Sequence, residues 1–313
     1  MSTSTLPIER RRVLRRLALG LGAPWSAGVL AQPAPKSPAL ATKPIPSTGE
    51  ALPVVGLGTW ITFNVGNDRA ARDGCAEVVN AFFDAGGQMI DSSPMYGSSQ
   101  PVVGYALSRV KPTPKVFAAD KVWTSSGPRG PAQIEESRRH WNVARFDLLQ
   151  VHNLLSWEEH LPILLAMKAA GKLRYVGITT SEGRRHREIE DVMRRHPLDF
   201  VQITYNLLDR EVEQRILPLA RERGIAVIAN RPFREGALLR ELQRHRLPTW
   251  AAEIDCTNWA QVALKFIVSH PALTCAIPAT SSVAHVRENM AAATGRMPDS
   301  ALRQRMAAHV DAL

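Results

Sequence analysis

Short apolar runs alternate with longer amphipathic stretches through most of this chain. The runs cover residues 52–60, 89–91, 115–123, 146–152, 175–180, 200–206, 226–230 and 272–278. They are nearly continuous in apolar residues, as strands buried on both faces are. Between them the apolar positions recur at three and four spacing. Ala71, Cys75, Val78, Val79, Phe82 and Phe83 share one face of a helix expected over 67–85, which Gly86-Gly87 stops. Helices are expected likewise over 101–110, 130–141, 157–170, 184–195, 212–223 and 258–268, then from Ser282 and again after Ala293. Pro131 suits a first helical turn and Gly171 a helix stop. Residues 231–257 read as a loop. Repeated βα units predict a parallel sheet, and eight of them a closed (β/α)8 barrel of one domain over 49–313. An open doubly wound sheet is the alternative. Gly56 and Gly58 lack the third glycine of the dinucleotide fingerprint that would favour it.

The N-terminus departs from this pattern. Arg10-Arg11-Arg12-Val13-Leu14-Arg15 resembles a twin-arginine export motif. A moderately apolar stretch follows, and Val29-Leu30-Ala31 has the small-residue form of a cleavage site, leaving Gln32 first. The order of charge, apolar run and cleavage site predicts a signal peptide over 1–31. It implies passage through the twin-arginine translocase and a periplasmic mature protein. A basic N-terminal arm is the alternative. Gly20, Gly22 and Pro24 interrupt the apolar stretch, which is too short to span a bilayer convincingly. Residues 32–48 carry Pro33, Pro35, Pro38, Pro44 and Pro46 and read as an extended or disordered linker.

Charge and composition change the picture little. The chain has 313 residues, 45% of them hydrophobic, enough for a large core. Its net charge of +10 raises the question of nucleic acid. The Arg-rich segments around Arg184 and Arg194 lie on helical stretches without interleaved aromatics, so solvated outer faces account for them. Cys75, Cys256 and Cys275 show no metal or CxxC spacing, and the histidines show no HExxH spacing, so no metal is expected.

The chemistry gathers at strand ends. Asp91 closes the second run and Tyr96 follows in the Pro/Gly-bounded loop Ser92-Ser93-Pro94-Met95-Tyr96-Gly97. Lys121 lies near the end of the third run and His152 near the end of the fourth. The spacing of about thirty residues is one strand-helix-strand repeat, which brings all of them to one rim of a parallel barrel. Singly, each has a plain reading: a helix cap for Asp91, a surface lysine, a satisfied core histidine. Together they suit proton transfer. A phenol with a free pKa of about 10 is a poor acid at neutral pH. A neighbouring cation lowers that value, and a buried lysine needs a carboxylate to stay charged. A histidine can donate to a developing oxyanion.

These residues, with Leu149-Gln150-Val151-His152-Asn153, carry a resemblance to the aldo/keto reductases that runs from about Gly49 to Ala293. The resemblance implies a barrel oxidoreductase reducing aldehydes or ketones with NADPH, NAD being possible. It implies Tyr96 as the acid, Lys121 and Asp91 as its tuning pair and His152 as the group that orients the carbonyl. It also implies cofactor contacts at Gly58 and Thr59 after the opening strand, at Thr179 and Thr180 after the fifth, and at Gln202 on the sixth. At the adenosine end it implies Pro278, Thr280, Ser282, Glu288 and Asn289. Several positions depart from the family pattern. Thr180 replaces an amide. Ala229-Asn230-Arg231-Pro232-Phe233 lacks the ring that stacks on the nicotinamide, for which Tyr205 or Phe233 could substitute. Arg231 and Arg234 are candidates for the pyrophosphate. Ala279 and His285 stand where many members have the Lys and Arg that read a 2′-phosphate. Trp123 and Trp157 could line a substrate pocket, though core packing for Trp123 and a surface position for Trp157 are expected. The short C-terminal segment suggests an open site. A non-catalytic nucleotide-binding module of the same fold is the rival reading, and fold alone does not separate the two.

Overall fold

The computed structural model describes residues 39–110 and 115–313. The expected signal peptide and the first part of the expected linker lie outside the described residues. The linker's last residues are structured. Strands β1 (Thr42–Pro44) and β2 (Ala51–Pro53) pair antiparallel in a hairpin. This also takes the first residues of the expected opening strand, so that strand is shorter than its apolar run. Ile45 and Leu52 are wholly buried and join Met89, Phe117, Leu148, Tyr175 and Phe200 in one apolar cluster. The hairpin thus plugs the N-terminal end of the barrel.

Eight strands follow: β3 (Leu57–Gly58), β4 (Met89–Asp91), β5 (Phe117–Val122), β6 (Leu148–His152), β7 (Tyr175–Thr179), β8 (Phe200–Thr204), β9 (Ala226–Asn230) and β10 (Cys275–Ala276). Each is parallel to the next, in chain order. Bridges from Val55 to Ala276 and from Gly58 to Ala279 join the last strand to the first. The closed barrel is therefore the fold, not an open sheet. Gly58 is needed at that seam, because a Cβ there would lie 2.6 Å from the Ile277 carbonyl oxygen.

The helices are α1 (Arg69–Asp84), α2 (Ser99–Leu107), α3 (Gly130–Trp141), α4 (Trp157–Ala169), α5 (His186–Arg195), α6 (Ile216–Arg223), α7 (Ala237–Leu242), α8 (Trp259–Val268), α9 (Val283–Ala291) and α10 (Ser300–Asp311). Asp68 caps α1, Asn258 caps α8 and Ser282 caps α9, each side chain accepting from a backbone N–H of the first turn. Helix α7 and a 3-10 turn at Thr249–Ile254 occupy the stretch read as a loop. α7 is only six residues long, too short for its periodicity to register. The two tryptophans exchange their expected places. Trp123 is 40% exposed, whereas Trp157 is 8% exposed and donates from Nε1 to Glu188 at 2.8 Å. The three cysteines are buried and unpaired. Among the described residues no helix is long and apolar enough to cross a membrane.

The alternation of the strands builds the site. One parity of β4 to β9 faces the helices, with Ile90, Ala118, Val122, Leu149, Val151, Val176, Ile178 and Val201 in the main core. The other parity faces the barrel axis. Its lower layers are apolar, and its uppermost residues are Asp91, Lys121, Gln150, His152, Thr179 and Gln202. The register sets Asp91 beside Ala119, Lys121 beside Gln150, His152 beside Thr179 and Thr179 beside Gln202. Period two thus delivers a polar layer at the C-terminal rim, where barrel enzymes place their chemistry.

Candidate active site

Asp91, at the end of β4, is 1% exposed and faces the barrel axis, not a helix N-terminus. Its Oδ1 accepts from Lys121 Nζ at 2.5 Å. Its Oδ2 accepts from Gln202 Nε2 at 2.9 Å and from Gln150 Nε2 at 3.4 Å. Lys121 also donates to the Ser92 carbonyl at 2.8 Å. A buried ion pair endures only when its remaining hydrogen-bonding sites are filled, and here two glutamines fill them. Burial alone would lower the Lys121 pKa, but Asp91, Tyr96 and Asp120 together outweigh it and the value is raised, so the ammonium stays charged. Asp120, the neighbouring residue on the helix side, is fully buried. Its oxygens accept from the Lys121 backbone N–H at 2.7 Å and from Gln100 at 2.8 Å. Burial pushes its carboxyl up to about 7, against the pull of Lys121.

The loop after β4 delivers Tyr96. The Tyr96 backbone N–H donates to the Ser93 carbonyl at 3.0 Å, closing a turn around Pro94 and Met95. Gly97 follows at φ 61°, and a Cβ there would lie 2.3 Å from Asn64 Oδ1. That oxygen accepts from the Ser98 N–H at 2.9 Å, so the glycine lets the loop seat on Asn64. Lys121 Nζ lies 5.1 Å from the centre of the Tyr96 ring, and the His152 ring meets it edge-on at 5.6 Å. The expected lowering of the Tyr96 pKa is not the net effect. Burial pushes the phenol up to about 12, and the Lys121 cation offsets only part of that. Tyr96 therefore holds its proton throughout the neutral range. An alkoxide, roughly as basic as hydroxide with its conjugate-acid pKa of about 15.7, can still take it. His152 is pushed well below the usual imidazole range, first by burial and then by Lys121, so it is neutral.

These groups border a cleft of about 820 Å³ that runs along the rim. Tyr96, His152, Asp91, Gly58, Thr59, Thr179, Gln202, Arg231, Thr280, Glu288 and Asn289 line it, as do Ala279 and His285. Lys121 reaches it only through Tyr96 and Asp91. Three other residues with implied cofactor contacts stand outside the lining. Thr180 is buried with its carbonyl accepting from Asn230 Nδ2 at 2.9 Å. Pro278 accepts at the barrel seam from the Gly58 N–H at 3.0 Å. Ser282 caps α9. Arg231 is already paired, at 3.0 Å to Glu182 and 2.7 Å to Glu235, and Glu235 also accepts from Trp60 Nε1 at 3.3 Å. Arg234 pairs with Asp209 at 3.2 Å and is not among the lining residues. Tyr205 cannot serve as the stacking ring, because it is buried against Phe266 at 5.8 Å and its hydroxyl bonds Glu213 and Arg303. Phe233 does stand in the cleft wall.

Other lining residues come from elements that periodicity did not reveal. Leu239 and Gln243, on and just after α7, and Leu247 form one wall. Trp60 packs against Tyr96 with ring centres 4.9 Å apart. The cleft suits a dinucleotide. It is long, one end holds the polar layer, and the other holds the N-terminus of α9, which favours anions. Among the described residues, Gln202 Oε1 has only a long 3.3 Å contact from the Thr179 hydroxyl, which leaves room for an amide donor.

A closed parallel barrel with a buried Lys–Asp pair behind a rim tyrosine and a neutral histidine defines a barrel oxidoreductase. The comparisons with known proteins make this specific. The Aldo/keto reductase family matches residues 54–308, and the chain belongs to that family. It is 29% identical over 248 residues to methylglyoxal reductase YeaE of Escherichia coli strain K12, covering 77% of this chain and 85% of that one. An NADH-specific methylglyoxal reductase of the same organism is 25% identical, with 82% and 94% covered. Among solved structures, an aldo/keto reductase from Klebsiella pneumoniae in complex with NADP and acetate superposes with a TM-score of 0.70 at 25% identity, with 84% and 92% covered. Glycerol dehydrogenase AKR11B4 from Gluconobacter oxydans, at 22% identity, shares the fold with a TM-score of 0.72 over 87% of this chain and 95% of that one.

Proposed function

We propose that the protein reduces small aldehydes and ketones to alcohols with NADPH or NADH, Tyr96 giving the proton. The juxtaposition of Tyr96 and His152 in front of the Lys121–Asp91 pair carries this reading. A bound dinucleotide would supply the hydride. Thr179 and Gln202 would hold its carboxamide, and Thr280, Glu288 and Asn289 its adenosine end. The carbonyl oxygen then sits between Tyr96 and His152. Negative charge would grow on it as hydride arrives, and two neutral donors would stabilise that charge. Tyr96 passes its proton to the oxygen, and Lys121 stabilises the phenolate left behind. Trp60 and Met95 supply an apolar border that favours small uncharged carbonyls, in keeping with the methylglyoxal reductases among the relatives. The purified protein should oxidise NAD(P)H only when a small aldehyde such as methylglyoxal is added. Tight dinucleotide binding without such oxidation would favour a binding module instead.

Cofactor choice follows from the far end of the cleft. Ala279 offers no charge to a 2′-phosphate, and Arg287 is exposed and not among the lining residues. Thr280 can supply only a neutral hydrogen bond, worth about 0.5–1.5 kcal/mol. NADPH should therefore be preferred over NADH only about tenfold, or about 1.4 kcal/mol. Ala279→Lys should widen that margin by placing a cation beside the phosphate. Titration of both dinucleotides into both proteins checks this. A wild-type margin above about a thousandfold, or about 4 kcal/mol, that the lysine leaves unchanged would mean other groups read the phosphate.

The export reading rests on Arg10-Arg11 and the cleavage site at Ala31. The protein is proposed to cross by the twin-arginine route, which carries folded proteins, and to act in the periplasm with residues 1–31 removed. The double variant Arg10→Lys, Arg11→Lys should accumulate as cytoplasmic precursor. Normal processing of that variant would remove the basis for this location.

A further inference from the structure

Ser93 lies between Asp91 and Tyr96 in sequence, is wholly buried and has no part in the proton transfer described above. Its Oγ is 2.7 Å from His152 Nδ1. The same oxygen accepts from the Met95 backbone N–H at 3.1 Å. Among the described residues it has no other hydrogen-bond partner. A hydroxyl has one hydrogen to donate, and buried donors are rarely left unpaired. If Nδ1 carried the ring proton and gave it to Ser93, the hydroxyl hydrogen would have no acceptor. If the hydroxyl donates to Nδ1, every group is satisfied. The ring proton then sits on Nε2, the nitrogen left facing the cleft.

We infer that Ser93 is a positioning residue that locks His152 in its Nε2–H tautomer, so that the neutral ring donates a hydrogen bond to the substrate oxygen. The consequence is mechanistic. A neutral imidazole with the other tautomer would present a lone pair to the carbonyl oxygen and repel it. The inference rests on the reading of the site as a carbonyl reductase, yet its test does not need turnover.

Nitrogen-15 NMR of the imidazole side chains decides it in the wild-type protein, with the His152 signals assigned by their loss in His152→Gln. The expected spectrum shows a protonated, pyrrole-type Nε2 and an unprotonated, pyridine-type Nδ1. A pyrrole-type Nδ1 in the wild type would overturn the inference, and that result needs no variant beyond the His152→Gln protein used for assignment. In Ser93→Ala the two tautomers should mix. kcat should fall about 10–100-fold, by analogy with the loss of a partner that orients a metal-binding histidine, while dinucleotide affinity holds. Ser93→Thr, which keeps the hydroxyl, should retain the Nε2–H form. An unchanged tautomer in Ser93→Ala, with kcat within twofold of wild type, would also overturn it. Loss of aldehyde reduction in the wild type itself would instead count against the assigned reaction, since the spectrum is read without substrate.

Discussion

Tyr96→Phe is expected to lower carbonyl reduction by about 10²–10⁴, the usual worth of a positioned general acid. Dinucleotide affinity should barely change. The phenol ring meets Trp60 and His152, and both contacts survive in phenylalanine. Only the hydroxyl is lost. The loss should fall on kcat, because the proton moves in the transition state and not on binding. Single-turnover rates with saturating dinucleotide separate the two. A Tyr96→Phe protein with near wild-type kcat would transfer the acid's role to His152 or water.

Lys121→Met should have the other large effect, and on two quantities at once. Catalysis should fall by an amount similar to Tyr96→Phe, since the phenolate left after proton transfer would face no cation. Folding stability should fall as well. Asp91 is 1% exposed, and its Oδ1 would lose the charged partner that Lys121 provides. Breaking a buried pair by removing one member costs about 3–5 kcal/mol, because the remaining charge is left uncompensated. Chemical denaturation of the two proteins reads this directly. The double variant Lys121→Met, Asp91→Asn should recover much of the stability without recovering activity, because the amide carries no charge to strand. A double variant as unstable as Lys121→Met alone would show that packing, not charge, dominates at this position.

How much of this could be read from the chain depends on what each feature rests on. Asp91, Lys121 and His152 were legible because a strand-end residue in a repeating βα unit has its place set by the repeat. Their spacing carries the geometry. Gln150 was visible only as part of a strand, since nothing in the pattern shows that its amide completes the coordination of Asp91 Oδ2. Ser93 looked like one more loop hydroxyl, and its meaning depends on a ring fifty-nine residues away. The same non-local dependence hid the β1–β2 hairpin, whose Ile45 and Leu52 are buried only because the barrel stands above them. The Tyr96 pKa went the other way from expectation for a related reason. A neighbouring lysine can be inferred from sequence, but depth of burial cannot, and here depth is the larger influence. Arg231 is a similar case. Its sequence neighbourhood suggested an anion site, whereas Glu182 and Glu235 arrive from two loops to neutralise it.

The central claim is that this barrel moves hydride and proton to a carbonyl within one cleft. It is tested most directly with a nicotinamide carrying deuterium at its transferable position, a small aldehyde and the purified protein. The account predicts one alcohol formed per dinucleotide oxidised, with the deuterium on the former carbonyl carbon, and the reaction all but abolished in Tyr96→Phe. Alcohol without the label, or dinucleotide oxidised with no alcohol formed, would contradict it.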